Sequence, residues 1–164
     1  MHNRVIVNST PLIILANVNK LELLQQLYGR IVIPQAVYDE VTINPYASIR
    51  EIISHCPWIT IEKISNIQEK KMYQAKLHAG EVEVMILAQE EPPANLVILD
   101  DNAAKKTAKY LGLKVTGTLG VLIKAKKQKL LTEVKPVLDK MICEGFYISN
   151  TLYDLVLQEA GETP

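Results

Sequence analysis

The 164-residue sequence is poor in cysteine, in aromatic rings and in long apolar runs. Its two cysteines, Cys56 and Cys143, are too few for a disulfide framework and lack the spacing of a metal pair. A reduced, cytoplasmic setting is therefore the default expectation. No stretch approaches the roughly 18 uninterrupted apolar residues of a membrane span. The opening Val5-Ile6-Val7 run is broken by Asn8, Ser9, Thr10 and Pro11, which argues against a signal-peptide core. One Trp, one Phe and seven Tyr leave Tyr147 and Tyr153 too isolated for a base-stacking platform. His2, His55 and His78 show no metal spacing. Net charge is also missing: 18 Lys and Arg balance 18 Asp and Glu. Taken alone, that total speaks against nucleic-acid binding, because nucleic-acid-binding domains tend to be basic.

What is present is an ordinary globular composition, 48% hydrophobic and 22% charged, at a length that suits one domain over 1–164. The zero total also hides a pattern. Residues 1–101 hold 8 basic and 12 acidic side chains, and residues 102–140 hold 10 lysines against Glu133 and Asp139. Residues 141–164 hold four acids and no base. Solvated helix faces account for any one lysine; a cluster of like charge calls for something that uses it.

Short β-branched runs alternate with helical periodicity. Strands are expected at Arg4–Val7, Ile31–Ile33, Ile59–Glu62, Leu96–Leu99 and Lys114–Thr116. Leu96–Leu99 is continuously apolar, as in a strand covered on both faces. Helices are expected at Pro11–Ala16, at Leu21–Leu27 ending on Gly29, from Pro34 through Val41, around Ile49–Ile53 and at Gln68–Leu77. Further helices fit Gly80–Ala88, Ala103–Leu111, Thr118 to about Lys127, and two closing segments between about 134 and 160 that belong to the same domain. Alternating strands and helices imply right-handed βαβ units, an α/β fold with a parallel sheet.

In open parallel sheets, ligands bind beyond the carboxyl ends of the strands. Three strands end in polar residues: Asn8-Ser9-Thr10, Asp100-Asp101 and Thr116-Gly117-Thr118. Ser9, Thr10 and Asp101 also suit helix N-caps. Asp100, directly after four aliphatics, lies at the rim of the core, where a charge needs a partner or a metal. Glu40 sits in Val37-Tyr38-Asp39-Glu40-Val41. Glu81 opens an apolar helix, where the dipole alone would favour it. Glu83 falls roughly 200° away around that helix, so Glu81, on the stripe of Val84, Met85 and Ala88, is the better candidate. If Glu40, Glu81 and Asp100 converge, protonation or a cation must relieve their repulsion. Hard oxygen ligands select Mg²⁺ or Mn²⁺, which predicts metal-assisted phosphodiester hydrolysis with water as nucleophile. Backbone N–H groups near Thr118 could meet a phosphate.

Four ordered blocks then resemble the successive motifs of a PIN domain: Val5–Ile13, Ile33–Val41, Gly80–Glu83 and Leu99–Ala104. The Val115–Gly120 block is similar to the VapC-like group of uncharacterised prokaryotic PIN proteins. The resemblance implies a Rossmann-like three-layer fold, an acidic Mg²⁺ or Mn²⁺ site, ribonuclease activity on single-stranded RNA and often a homodimer. In toxin–antitoxin pairs it also implies a small antitoxin protein. Carried over by position, Asn8, Glu40, Glu81 and Asp100 form the catalytic and metal-binding set, with Asp101 adjacent. Ser9, Thr10, Thr118, Lys105, Lys106 and Lys109 would meet the nucleic acid. Asn8 stands where most PIN nucleases have Asp and supplies a ligand oxygen without charge. Two other readings stay open: a PIN fold that binds RNA or protein without cleaving, and a receiver-like domain using Asp100 and Asp101.

Overall fold

The computed structural model describes residues 4–43, 49–65, 78–90 and 92–163. The expected helix at 68–77 lies outside these residues. Five strands form one all-parallel sheet in the order β3-β2-β1-β4-β5. They are β1 (Val5–Val7), β2 (Ile31–Pro34), β3 (Ile59–Glu62), β4 (Leu96–Ile98) and β5 (Val115–Thr116). The inner strands β1 and β2 are buried along their whole length, and Val97 and Ile98 of β4 are fully buried. That is the condition that continuous apolar runs meet in a sheet covered on both faces. The edges β3 and β5 are more open, with Thr60 and Ile61 exposed.

Among the described residues nine helices flank the sheet, giving a three-layer α/β arrangement. They are α1 (Ser9–Asn17), α2 (Glu22–Tyr28), α3 (Gln35–Thr42), α4 (Ile49–Ser54) and α5 (Ala79–Gln89), then α6 (Asn102–Tyr110), α7 (Thr118–Lys127), α8 (Lys135–Cys143) and α9 (Asn150–Glu159). Gly29 ends α2 at φ 78° and Gly112 follows α6 at φ 80°, left-handed turns that a side chain would strain. Pro34 does not open α3 as expected. It closes β2, paired in register with Glu62, and its fixed φ of −64° then serves as the N-cap of α3. Helix α5 packs on α3 and across β1 and β2, and every residue from Gly80 to Ala88 is buried. Trp58 joins the core. Cys56 is only partly buried and Cys143 is exposed, so neither is the core residue that its type suggests.

Candidate active site

The sheet grows outward from β1 in both directions, β2 and β3 to one side and β4 and β5 to the other. In open α/β sheets the point where the direction reverses, beyond the carboxyl ends of the strands, is the usual place of a ligand-binding crevice. Asn8 follows β1 and Asp100 lies two residues beyond β4. The Asn8 N–H donates to the Ile98 carbonyl at 2.9 Å, which keeps the two strand ends in step.

Asn8 occupies the N-cap position of α1 yet makes no side-chain cap. A cap side chain bonds the N–H of the second or third helical residue, and the third is Pro11, which has none. Asn8 Oδ1 is buried and has no hydrogen-bond partner among the described residues. Ser9, also buried, turns its hydroxyl away from the helix and donates to Glu40 Oε2 at 2.8 Å. Glu40 reaches the crevice from the outer face of α3. Gly80 closes the group from α5: an ideal Cβ there would lie 2.7 Å from Glu40 Oε2 and 3.6 Å from Asn8 Oδ1. Any side chain at position 80 would displace the Glu40 carboxylate.

Asp100 belongs to a second group. Its Oδ1 accepts from the Thr118 N–H at 2.7 Å and its Oδ2 from the Thr118 hydroxyl at 2.6 Å. Both donors stand at the N-terminus of α7, so they fix the carboxylate and place its charge on the favourable end of the helix. Gly117 lies beneath: an ideal Cβ would sit 2.7 Å from Asp100 Oδ1 and 2.9 Å from Lys105 Nζ. The neighbouring Asp101 caps α6, accepting from the Ala104 N–H at 2.8 Å. Lys105 is half-buried; Lys106, Lys109 and Thr10 are exposed.

A family profile for the PIN domain matches residues 4–162. The chain belongs to the PIN-domain family. PIN domains are in general divalent-metal-dependent nucleases, and a search of curated proteins finds no match to this chain. Membership also displaces the receiver-like reading. In this PIN domain the structure brings together Asn8, Ser9, Glu40 and Gly80, and separately Asp100, Gly117, Thr118 and Lys105. Among the described residues, no three His, Cys, Asp or Glu side chains converge closely enough to hold a metal ion. The three-acid convergence expected from the sequence is therefore not formed. Glu81 instead accepts from the His78 N–H at 3.1 Å at the start of α5, and Asp100 is held by Thr118.

The donor set nonetheless fits Mg²⁺ or Mn²⁺. Leaving a buried amide oxygen unsatisfied costs about 1–3 kcal/mol, and Asn8 Oδ1 and Glu40 Oε2, both hard oxygen donors, border the space that Gly80 leaves open. Mg²⁺ keeps several waters and takes one or two carboxylates, so a site of this kind does not need three. Thr118, expected to meet the nucleic acid, is fully buried and gives both of its donors to Asp100. Two kinds of residue escape the sequence reading. Gly80 and Gly117 each leave room for one carboxylate, the only signal being that each directly precedes a candidate site residue. Glu83 accepts from the Ala36 N–H at 2.9 Å, capping the helix that carries Glu40.

Proposed function

We propose that this PIN domain, taking residues 1–164 as one unit, is a VapC-like ribonuclease that hydrolyses phosphodiester bonds of single-stranded RNA with Mg²⁺ or Mn²⁺. The observation that carries it is the buried Asn8 Oδ1, unpartnered among the described residues, which borders with Glu40 the space left by Gly80 in a PIN fold. Asn8 and Glu40 would hold the ion, with Asp100 across the strand ends and Glu81 contributed by the separate Gly80–Glu83 block. A divalent ion supplies charge neutralisation at the phosphate and activation of water. The chain's own part is orientation. Ser9 holds one oxygen of Glu40, Thr118 holds both oxygens of Asp100, and Glu83 fixes the start of α3. Lys105, Lys106 and Lys109 supply the field that draws in a polyanion. Hydrolysis adds water across one P–O bond, and the departing oxygen takes up a proton.

The test is cleavage of single-stranded RNA with Mn²⁺ by the wild type and by a Glu40→Ala, Asp100→Ala double variant. Cleavage by the wild type that the double variant loses supports the reading; equal behaviour removes it. A second reading, RNA or protein binding without turnover, is favoured by the uncharged Asn8 and by the engagement of Glu81 and Asp100 with backbone N–H groups. Salt-dependent RNA affinity without product would select it. A small antitoxin partner, a homodimer and a cytoplasmic setting accompany the toxin form of the proposal. Among the described residues no helix is long and apolar enough to cross a membrane.

A further inference from the structure

We propose that Lys105 is a catalytic residue, its ammonium contacting the phosphate whose ester bond is broken. The inference rests on the ribonuclease reading and goes beyond it by separating one lysine from the ten in segment 102–140. The sequence singles out Lys105, Lys106 and Lys109 together and does not rank those three. In the fold, Lys124 lies over the Tyr28 ring at 4.6 Å and Lys126 pairs with Glu162 at 2.9 Å, so both serve the structure. Lys106 and Lys109 stand in solvent on α6. Lys105 alone of the α6 lysines is drawn inward, to the space that Gly117 leaves open in front of Asp100.

Three features argue that this placement serves a ligand. No ion pair or hydrogen bond with a described residue occupies the Lys105 ammonium. Asp100 accepts from Thr118 through both oxygens and makes no hydrogen bond or ion pair with Lys105, so its charge attracts the ammonium while leaving its hydrogens for a ligand. Lys105 also lies close to the N-terminus of α6, where the helix dipole disfavours a cation. A half-desolvated ammonium over a buried glycine attracts an anionic phosphate oxygen more strongly than an exposed one. The same charge beside Asp100 opposes a divalent ion at the crevice. Removing it therefore has two separable consequences.

Mn²⁺ titration by calorimetry and RNA cleavage kinetics on the wild type, Lys105→Gln, Lys105→Arg and the surface variant Lys127→Gln test both. Expected for Lys105→Gln are Mn²⁺ binding tightened about fivefold or more and a kcat lowered about 100-fold with little change in KM. Lys105→Arg recovers part of kcat, and Lys127→Gln leaves Mn²⁺ affinity as in the wild type. Thermal melts of each variant establish that it is folded. Lys105→Gln behaving as Lys127→Gln in both measurements overturns the proposal. So does a raised KM with kcat kept, which would make Lys105 a contact to the flanking backbone. A wild type that cleaves no RNA defeats the ribonuclease reading itself, and is recognised without reference to Lys105.

Discussion

Pro11 removes one of the two N–H groups that Asn8 could cap, leaving only that of Thr10. The amide makes neither bond, and its buried Oδ1 borders with Glu40 the space that Gly80 leaves open. Replacing Asn8 with Asp would put a second carboxylate there. In the absence of metal, repulsion and desolvation should destabilise the fold by about 1–3 kcal/mol. Saturating Mn²⁺ should reverse this, since a ligand at about 100 times its Kd contributes about 2.7 kcal/mol. The expected result for Asn8→Asp is a lower metal-free melting temperature, a larger upward shift with Mn²⁺ than in the wild type, and faster RNA cleavage. A melting temperature that ignores Mn²⁺ would place the metal elsewhere. Thr118→Val keeps the shape of a fully buried side chain and removes one donor to Asp100. Losing a hydrogen bond to a charged group costs about 1.5–3 kcal/mol, so denaturant unfolding should show a loss in that range. Cleavage should fall with it, because the Asp100 carboxylate is no longer fixed.

At the scale of elements, the site is a joint between α3 and α5. Glu83 caps α3 from α5, and Gly80 of α5 clears the space that Glu40 of α3 occupies. Gly80→Ala separates packing from function. Alanine gains about 0.5–1 kcal/mol over glycine in a helix, and the obstruction, the end of a flexible glutamate, can swing aside. Stability should change by less than about 1 kcal/mol, yet Glu40 must leave Ser9, and Mn²⁺ affinity and cleavage should both drop. A Gly80→Ala variant that binds Mn²⁺ as tightly as the wild type would show that Glu40 holds no metal. The joint also marks how far the sequence could be read. The inner strands and α5 were legible because burial on both faces leaves continuous apolar runs, as in Ile31–Ile33 and Val84–Ala88. Asn8 and Asp100 stood out as polar residues just past apolar strands, and Glu40 through its place in the Ile33–Val41 block. The choice between Glu81 and Glu83 was not. Sorting them by helix face assumes one inward stripe, and α5 is buried all round, so both acids are inside and each binds a backbone N–H. The partner of Glu83 lies 47 residues away, a separation that no local pattern encodes.

For the molecule as a whole, the zero net charge resolves into contacts within one chain. The acidic C-terminal segment offsets part of the lysine-rich stretch within the chain. Glu162 Oε2 accepts from Lys126 Nζ at 2.9 Å and from the Val134 N–H at 2.7 Å, and Oε1 accepts from the Lys135 N–H at 3.1 Å. One carboxylate thus ties the chain end to the last turn of α7 and the first turn of α8. Burial alone would raise its pKa, but the Val134 N–H, the Lys126 ammonium and the Lys135 N–H outweigh that and hold it below the ordinary carboxylate value. A group whose folded pKa is depressed contributes stability above its unfolded pKa, near 4.3 for Glu, and loses it as pH falls through the folded value. From within α9, the Tyr153 hydroxyl donates to Asp139 of α8 at 2.6 Å, and its pKa is pushed up to about 12, chiefly by that bond and then by burial. Its contribution has the opposite sign: present below the ordinary tyrosine value, about 10, and lost as pH rises toward the folded one. The C-terminal helices should therefore be held most firmly between these limits. Glu162→Gln should destabilise the protein by about 1–2 kcal/mol at pH 7, with the difference from wild type closing below about pH 4. Tyr153→Phe should match the wild type above about pH 12 and fall short of it at pH 7. Denaturant midpoints for the three proteins at pH 3, 7 and 11 measure both effects. A Glu162→Gln deficit that is the same at pH 3 as at pH 7 would mean that the clamp works through shape and not through charge.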